Sequence, residues 1–244
     1  MKMTSKQNKP KPNALRIVVA QAFNSIADAL SSTKVVIPWL MGSLGAPTFL
    51  TGLLVPIRES GSLLPQIAVS NFVQRLALRK YAYSLGVIVQ SLAIALIALT
   101  GHSLTGLMAG TLIVCLVGVM ALARCVCSIC SKDVLGKTIP QSERGQLMGL
   151  SNAIGGGIAV LVGMALIVGW LSSNNDLIGI LLLATACWLI TALVYTLVQE
   201  EPGETTHENS LRSELTSGLS LLRTDEVFRR FVLVRAFLMS SRLS

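Results

Sequence analysis

Five ionisable side chains stand inside stretches that are otherwise apolar: Asp28, Lys34, Arg58, Glu59 and Arg124. A charged group held at membrane depth costs a few kcal/mol or more unless it meets a counter-charge or a watery cavity, so such residues mark solute and ion paths. Lys34, Arg58 and Glu59 are therefore candidates for a substrate or coupling site. Together they carry one net positive charge, which suits a small anionic or zwitterionic solute, and the Glu59 carboxylate is a group that proton coupling would use. Asp28 and Arg124 form a candidate ion pair on the inner side. The alternative for Arg124 is to snorkel past Val126 to Ile129 toward the headgroups.

The cysteines offer a second chemistry and give it little support. Cys115, Cys125, Cys127, Cys130 and Cys187 lie in apolar runs or at their inner ends, away from any oxidising compartment, and read as free thiols. Cys127 and Cys130 share a helical face, but Cys125 points ~200° away from Cys127. His102 belongs to the other side of the membrane. No metal and no cofactor is expected.

The elements that must position these groups are hydrophobic runs. The chain is 52% hydrophobic and only 13% charged, a balance that suits a bilayer better than water. Runs of spanning length cover 26–44, 47–71, 83–100, 104–129, 147–171 and 177–198. A tail, 1–25, precedes them; a linker, 199–227, follows, in which Leu211, Leu215, Leu219 and Leu222 recur at helical spacing. A seventh run, 228–244, is short for a complete span and reads as a truncated helix. The sequence thus predicts an all-α membrane protein with a six-helix transmembrane bundle.

Lys and Arg set its orientation. They fill the tail (Lys2, Lys6, Lys9, Lys11, Arg16), the link after run two (Arg75, Arg79, Lys80) and the link after run four (Lys132, Lys137, Arg144). The alternate links, 45–46, 101–103 and 172–176, hold none. That bias places the amino terminus in the cytoplasm and the protein, multi-pass, in the plasma (inner) membrane. The net charge of +8 reports this orientation and not a nucleic-acid partner.

Position within a run gives depth, at ~1.5 Å per residue. Lys34 stands eight residues from the inner end of run one, and Arg58 and Glu59 stand eleven and twelve from the outer end of run two. All three fall near the midplane, and the tight turn between these runs predicts a Lys34–Glu59 pair. Arg58 and Glu59, being adjacent, point ~100° apart. Pro56 and Pro65 predict a bend or opening in run two. Runs three and six carry no charge and can face lipid. Run five carries Gly149, Gly155, Gly156, Gly157, Gly163 and Gly169 and reads as a packing helix.

Two loops carry a family likeness. Ser70 to Lys80 is similar to the G-x-x-x-D-R-x-G-R-R signature of major facilitator superfamily permeases, keeping Arg75, Arg79 and Lys80 but with Gln74 for the acid and Ala77 for the glycine. Pro140, Arg144 and Gly145 match that family's P-x-x-x-R-G opening of helix five. The layout of runs and central linker also resembles the amino-terminal half of such a permease. The resemblance implies secondary transport by alternating access, two inverted three-helix repeats in this half, and a carboxy-terminal half as partner. It places Arg124 at the helix-four arginine that the family links to proton transfer. It does not imply an enzyme. Two other classes stay open: a half-transporter or assembly subunit that needs a separate partner half, and a membrane thiol or redox protein using the cysteines.

Overall fold

A computed structural model describes residues 12–63, 65–171 and 173–200, together with Glu226, Arg229, Arg230 and Val234. The chain divides into two units, Met1–Glu204 and Thr205–Ser244. In the second, Arg230 donates to Glu226 at 2.9 Å, one helical turn apart. The tail lysines, the leucine repeat at 211–222 and nearly all of the seventh run lie outside the described residues.

The first unit is built from α1 (Pro12–Leu30), α2 (Val36–Ser43), α3 (Thr48–Leu63), α4 (Gln66–Gln74), α5 (Arg79–Ser103), α6 (Gly106–Thr138), α7 (Gln141–Ile167) and α8 (Asn174–Thr196). There is no strand among the described residues. The helices α5 to α8 are each long and apolar enough to cross a membrane. The first two crossings are each made of two pieces, α1 with α2 and α3 with α4.

The break between α1 and α2 has a local cause. Ser31 Oγ donates back to the Ala27 carbonyl at 2.7 Å, and Ser32 Oγ accepts from the Lys34 amide at 3.3 Å. Serine hydroxyls that bond nearby backbone compete with the helical ladder. Pro38, inside the first turn of α2, then has no amide to offer the Lys34 carbonyl. In the second crossing Pro56 sits inside α3 without ending it, whereas Pro65 begins α4.

Several helices outrun the hydrophobic runs. Run one starts at Ile26, but α1 starts at Pro12, so much of the expected tail is helix. Its extra turns carry Gln21 and Asn24 on a face turned into the bundle, which a hydrophobicity window scores as polar. Run four ends at Ile129, yet α6 continues to Thr138 with Lys137 and Asp133 paired at 2.9 Å one turn apart.

The connections collect at two ends. At one, the Gly106 amide donates to the Leu44 carbonyl at 2.8 Å, Asn174 Nδ2 donates to the Gly101 carbonyl at 2.9 Å, and Ser43 Oγ meets Asn174 Oδ1 at 3.2 Å. At the other, Arg16 donates to the Leu197 carbonyl at 2.6 Å and Lys80 Nζ to the Val198 carbonyl at 2.8 Å. Arg79 pairs with Asp133 at 2.5 Å, and Glu200 receives the Lys80 amide at 2.8 Å and Lys137 at 3.4 Å. Basic links therefore share one end, and turns without Lys or Arg the other.

The packing is symmetric in sequence order. Helix α5 packs on α6 and α8, α8 packs on α1, α3 packs on α6, and α1 packs on α7. Exchanging the first three crossings with the last three maps this pattern onto itself. The first crossing leaves the basic end and the fourth arrives there, so the two repeats are inverted. Helices α5 and α8 bury Gln90, Ser91, Trp188 and Thr191 on their inner sides and expose Leu85, Leu92, Leu182 and Leu193 on the other.

Helix α7 packs less than its glycines suggest. Only Ser151, Gly155 and Leu166 are buried in it. A methyl group added at Gly155 would lie 2.9 Å from the backbone oxygen of Ser25, whereas one at Gly156 or Gly157 would meet nothing within 4 Å. The close approach to α1 thus rests on Gly155, and its neighbours face outward. Gly155→Ala is expected to lower the melting temperature in detergent, since overpacking typically costs about 1–3 kcal/mol. Gly156→Ala should leave it unchanged or slightly raised, because alanine is the better helix former. Equal melting temperatures for the two variants would show that α1 and α7 do not touch there.

Candidate functional site

Asp28, in the last turn of α1, lies between two arginines. Arg124 of α6 grips it with both terminal nitrogens, NH1 to Oδ1 and NH2 to Oδ2, the second at 2.7 Å. Arg58 of α3 reaches Oδ1 from the other side at 3.4 Å and donates to Thr33 Oγ1 at 3.0 Å. The side chains of Arg58, Asp28 and Arg124 are 14%, 19% and 32% exposed, so the cluster is largely withdrawn from the surface. Paired fork-to-carboxylate bonds are the strong kind of hydrogen bond, and they fix orientation as well as charge.

The helices extend beyond the hydrophobic runs that reveal them. Asp28 is sixteen residues into α1, and Arg124 is fourteen residues before the end of α6 and eighteen after its start. At ~1.5 Å per residue both stand ~20 Å or more along their helices from the basic end.

The pairing within the site also differs. No ion pair joins Lys34 to Glu59 among the described residues; Asp28 is the acid that Arg58 meets. The break at Ser31–Val35 is the reason, since it takes Lys34 off the face that an unbroken helix would present to α3. Lys34 is exposed beside the cluster, and Glu59 lines the same cavity from α3.

Polar neighbours complete the arrangement, four of them from helices that carry no charge within the membrane. Asn24 Nδ2 donates to Asp28 Oδ2 at 3.3 Å, and Trp188 Nε1 of α8 donates to Asn24 Oδ1 at 3.2 Å. Gln21 donates to Ser131 Oγ at 2.8 Å, and Gln90 of α5 donates to Cys127 Sγ at 3.3 Å. Tyr83 and Tyr195 stack with ring centres 3.8 Å apart. Charge alone did not mark these residues. A polar or indole group inside an apolar run, as at Gln90 and Trp188, was the available signal.

Two cavities meet at the cluster. One, of about 250 Å³, is lined by Gln21, Asn24, Tyr83, Cys127, Ser131 and Lys132 among others; the second, of about 430 Å³, by Thr33, Lys34, Arg58, Glu59 and Ser62. Both include Ser25, Asp28, Arg124 and Asn152. The second cavity is bordered by three basic and two acidic side chains, which leaves one positive charge. Two guanidinium groups that share one carboxylate between two cavities can exchange it for an anionic ligand.

The basic end shows a third arrangement. Gln74, at the acid position of the loop signature, bonds only Ser70 Oγ within its own helix, at 3.2 Å. Arg79 takes its acid instead from α6, as Asp133, while Arg75 is exposed at the end of α4. Pro140 leads into α7, and Arg144 turns back to cap α6, donating to the Ile139 and Gly136 carbonyls at 2.8 and 2.6 Å. A methyl group added at Gly145 would meet nothing within 4 Å. All five cysteines are free, and no group of three or more His, Cys, Asp or Glu that could hold a metal occurs among the described residues.

Residues 17–243 match the family model of the Major Facilitator Superfamily. No curated protein and no solved structure matches the chain. The family match spans nearly the whole sequence, and the inverted repeats, spanning helices and internal charges agree with it. The chain therefore belongs to the Major Facilitator Superfamily, as an all-α, multi-pass membrane protein of that family of transporters.

Proposed function

We propose that the protein is a secondary active transporter of a small anionic or zwitterionic solute, working by alternating access. The observation that carries this reading is the Asp28–Arg58–Arg124 cluster, set deep in the bundle between two cavities. Asp28, Arg58 and Arg124 form the centre of the site, and Lys34 and Glu59 complete its charged wall. A solute carboxylate or phosphate competes with Asp28 for the guanidinium groups. Glu59, on the wall of the same cavity, is the carboxylate that proton coupling would use. The bundle works with a second six-helix half. The outward glycine face of α7, beside the second cavity, supports that arrangement. The basic end faces the cytoplasm of a plasma (inner) membrane.

Two experiments test this. With the native cysteines replaced, a single cysteine at Ser103 should react with a membrane-impermeant maleimide in intact cells. One at Lys132 should react only after permeabilisation, and the reverse pattern would overturn the orientation. In proteoliposomes of the full-length permease, Arg58→Gln should keep the Asp28–Arg124 pair and the melting temperature. It should weaken uptake of the anion by about 10- to 100-fold, the ~1.5–3 kcal/mol of a hydrogen bond to a charged group. Glu59→Gln should remove the pH dependence of uptake while protein yield stays the same. Uptake that is unaltered in both variants would sink the site assignment.

A further inference from the structure

Beside the charged cavity lies a third hollow, of about 750 Å³, between α2 and α7. Its walls are Val35, Pro38, Trp39, Leu166 and Ile167, with Gly163, Gly42 and Ser43. Lys34 is the one charged residue lining it, and Lys34 also lines the cavity that holds Arg58. The two spaces are thus joined at a cation. Val35, Trp39 and Ile167 are 37%, 47% and 82% exposed, while Leu166 is 3% exposed and forms the floor.

We propose that the solute is an amphipathic organic anion, with its charged group held between Lys34 and Arg58 and its apolar body in the groove between α2 and α7. This deepens the transporter reading and rests on it. Lys34 makes no ion pair among the described residues, so the ammonium at the inner end of the groove has charge to offer an anion. The groove adds no second cation, and its apolar wall returns nothing for desolvating a second anionic group. A dianion is therefore disfavoured, and an apolar chain or ring is rewarded at about 25 cal/mol per Å² buried. Lys34 stands in the break before α2 and Ser43 ends that helix, whose eight residues run ~12 Å, which fits the length of a medium-chain carboxylate. A lipid would bring its tail to the groove but hold its headgroup at the interface, away from Lys34.

The test uses the purified chain in nanodiscs of zwitterionic phosphatidylcholine. Decanoate, decanol, decyltrimethylammonium and succinate are the probes, read by melting temperature and by tryptophan fluorescence. Decanoate should raise the melting temperature saturably and change the fluorescence, and Trp39→Phe should remove the fluorescence response. Lys34→Gln should weaken decanoate at least tenfold, and Lys34→Arg should restore it. Equal responses to decanol and decanoate, or unchanged binding in Lys34→Gln, would show a lipid-facing surface and overturn the proposal. Succinate binding that depends on Arg58 with decanoate inert would overturn it while leaving the transporter site intact. Binding of no anion, or anion binding indifferent to both Lys34 and Arg58, would overturn both.

Discussion

The rest of the bundle is arranged around one carboxylate. Asp28 would be costly in the interior alone, and so would Arg58 or Arg124; placed together they satisfy one another, provided that three helices hold them within hydrogen-bond reach. That requirement explains why α1, α3 and α6 carry the charges while α5 and α8 carry none between their ends. It also gives the break after α1 a purpose, because Thr33, in the unwound segment, accepts one of the Arg58 hydrogen bonds that Asp28 cannot. Two arginines against one acid leave a positive remainder, which is what the transport reading proposed above assigns to the solute.

The uncharged helices serve as the frame. Helix α8 holds the cluster through Trp188 and Asn24, so its indole orients an amide that in turn supports the carboxylate. At the basic end Glu200 ties α5 and α6 to the close of α8, by way of the Lys80 amide and Lys137. Inverted repetition accounts for the division: crossings three and six occupy equivalent outer places, and crossings one and four bring Asp28 and Arg124 face to face. Helix α7, repeat mate of the second crossing, touches α1 closely at Gly155 and otherwise stays open.

Much of this was legible in the sequence. Hydrophobic runs and the alternation of Lys and Arg between them foretold the all-α spanning bundle, and the loop residues around Arg75 and Arg144 pointed to the family. The charged residues of the site were also visible, because nothing else in an apolar run draws attention as a charge does. Their partnerships were not. Depth was judged from the edges of hydrophobic runs, and those edges mark where the apolar stretch ends, not where the helix does. The Lys34–Glu59 pairing assumed an unbroken first helix, and Ser31, Ser32 and Pro38, which end α1 and start α2, were read as ordinary members of one run. Asp133 replaces the acid that Gln74 lacks, but it stands 59 residues further along the sequence than the position it fills.

The break also separates two duties within the first crossing. Below it, α1 carries Asp28 and is held to α6 and α8 by Arg124, Trp188 and Thr191. Above it, α2 carries the apolar wall at Val35, Pro38 and Trp39, and meets α3 and α8 more sparingly. The helical bonds of α1 end with Ser31 to Ala27, and across the break only Val35 to Ser32 at 3.4 Å and Ile37 to Ser32 at 3.0 Å follow, so no regular ladder makes α1 and α2 a single rod. A helix interrupted at a ligand cavity can change the angle of one part without disturbing the other. Lys34, placed at the junction, lines both cavities, so in the transporter proposed above a ligand that grips it bears on the cluster and the groove together.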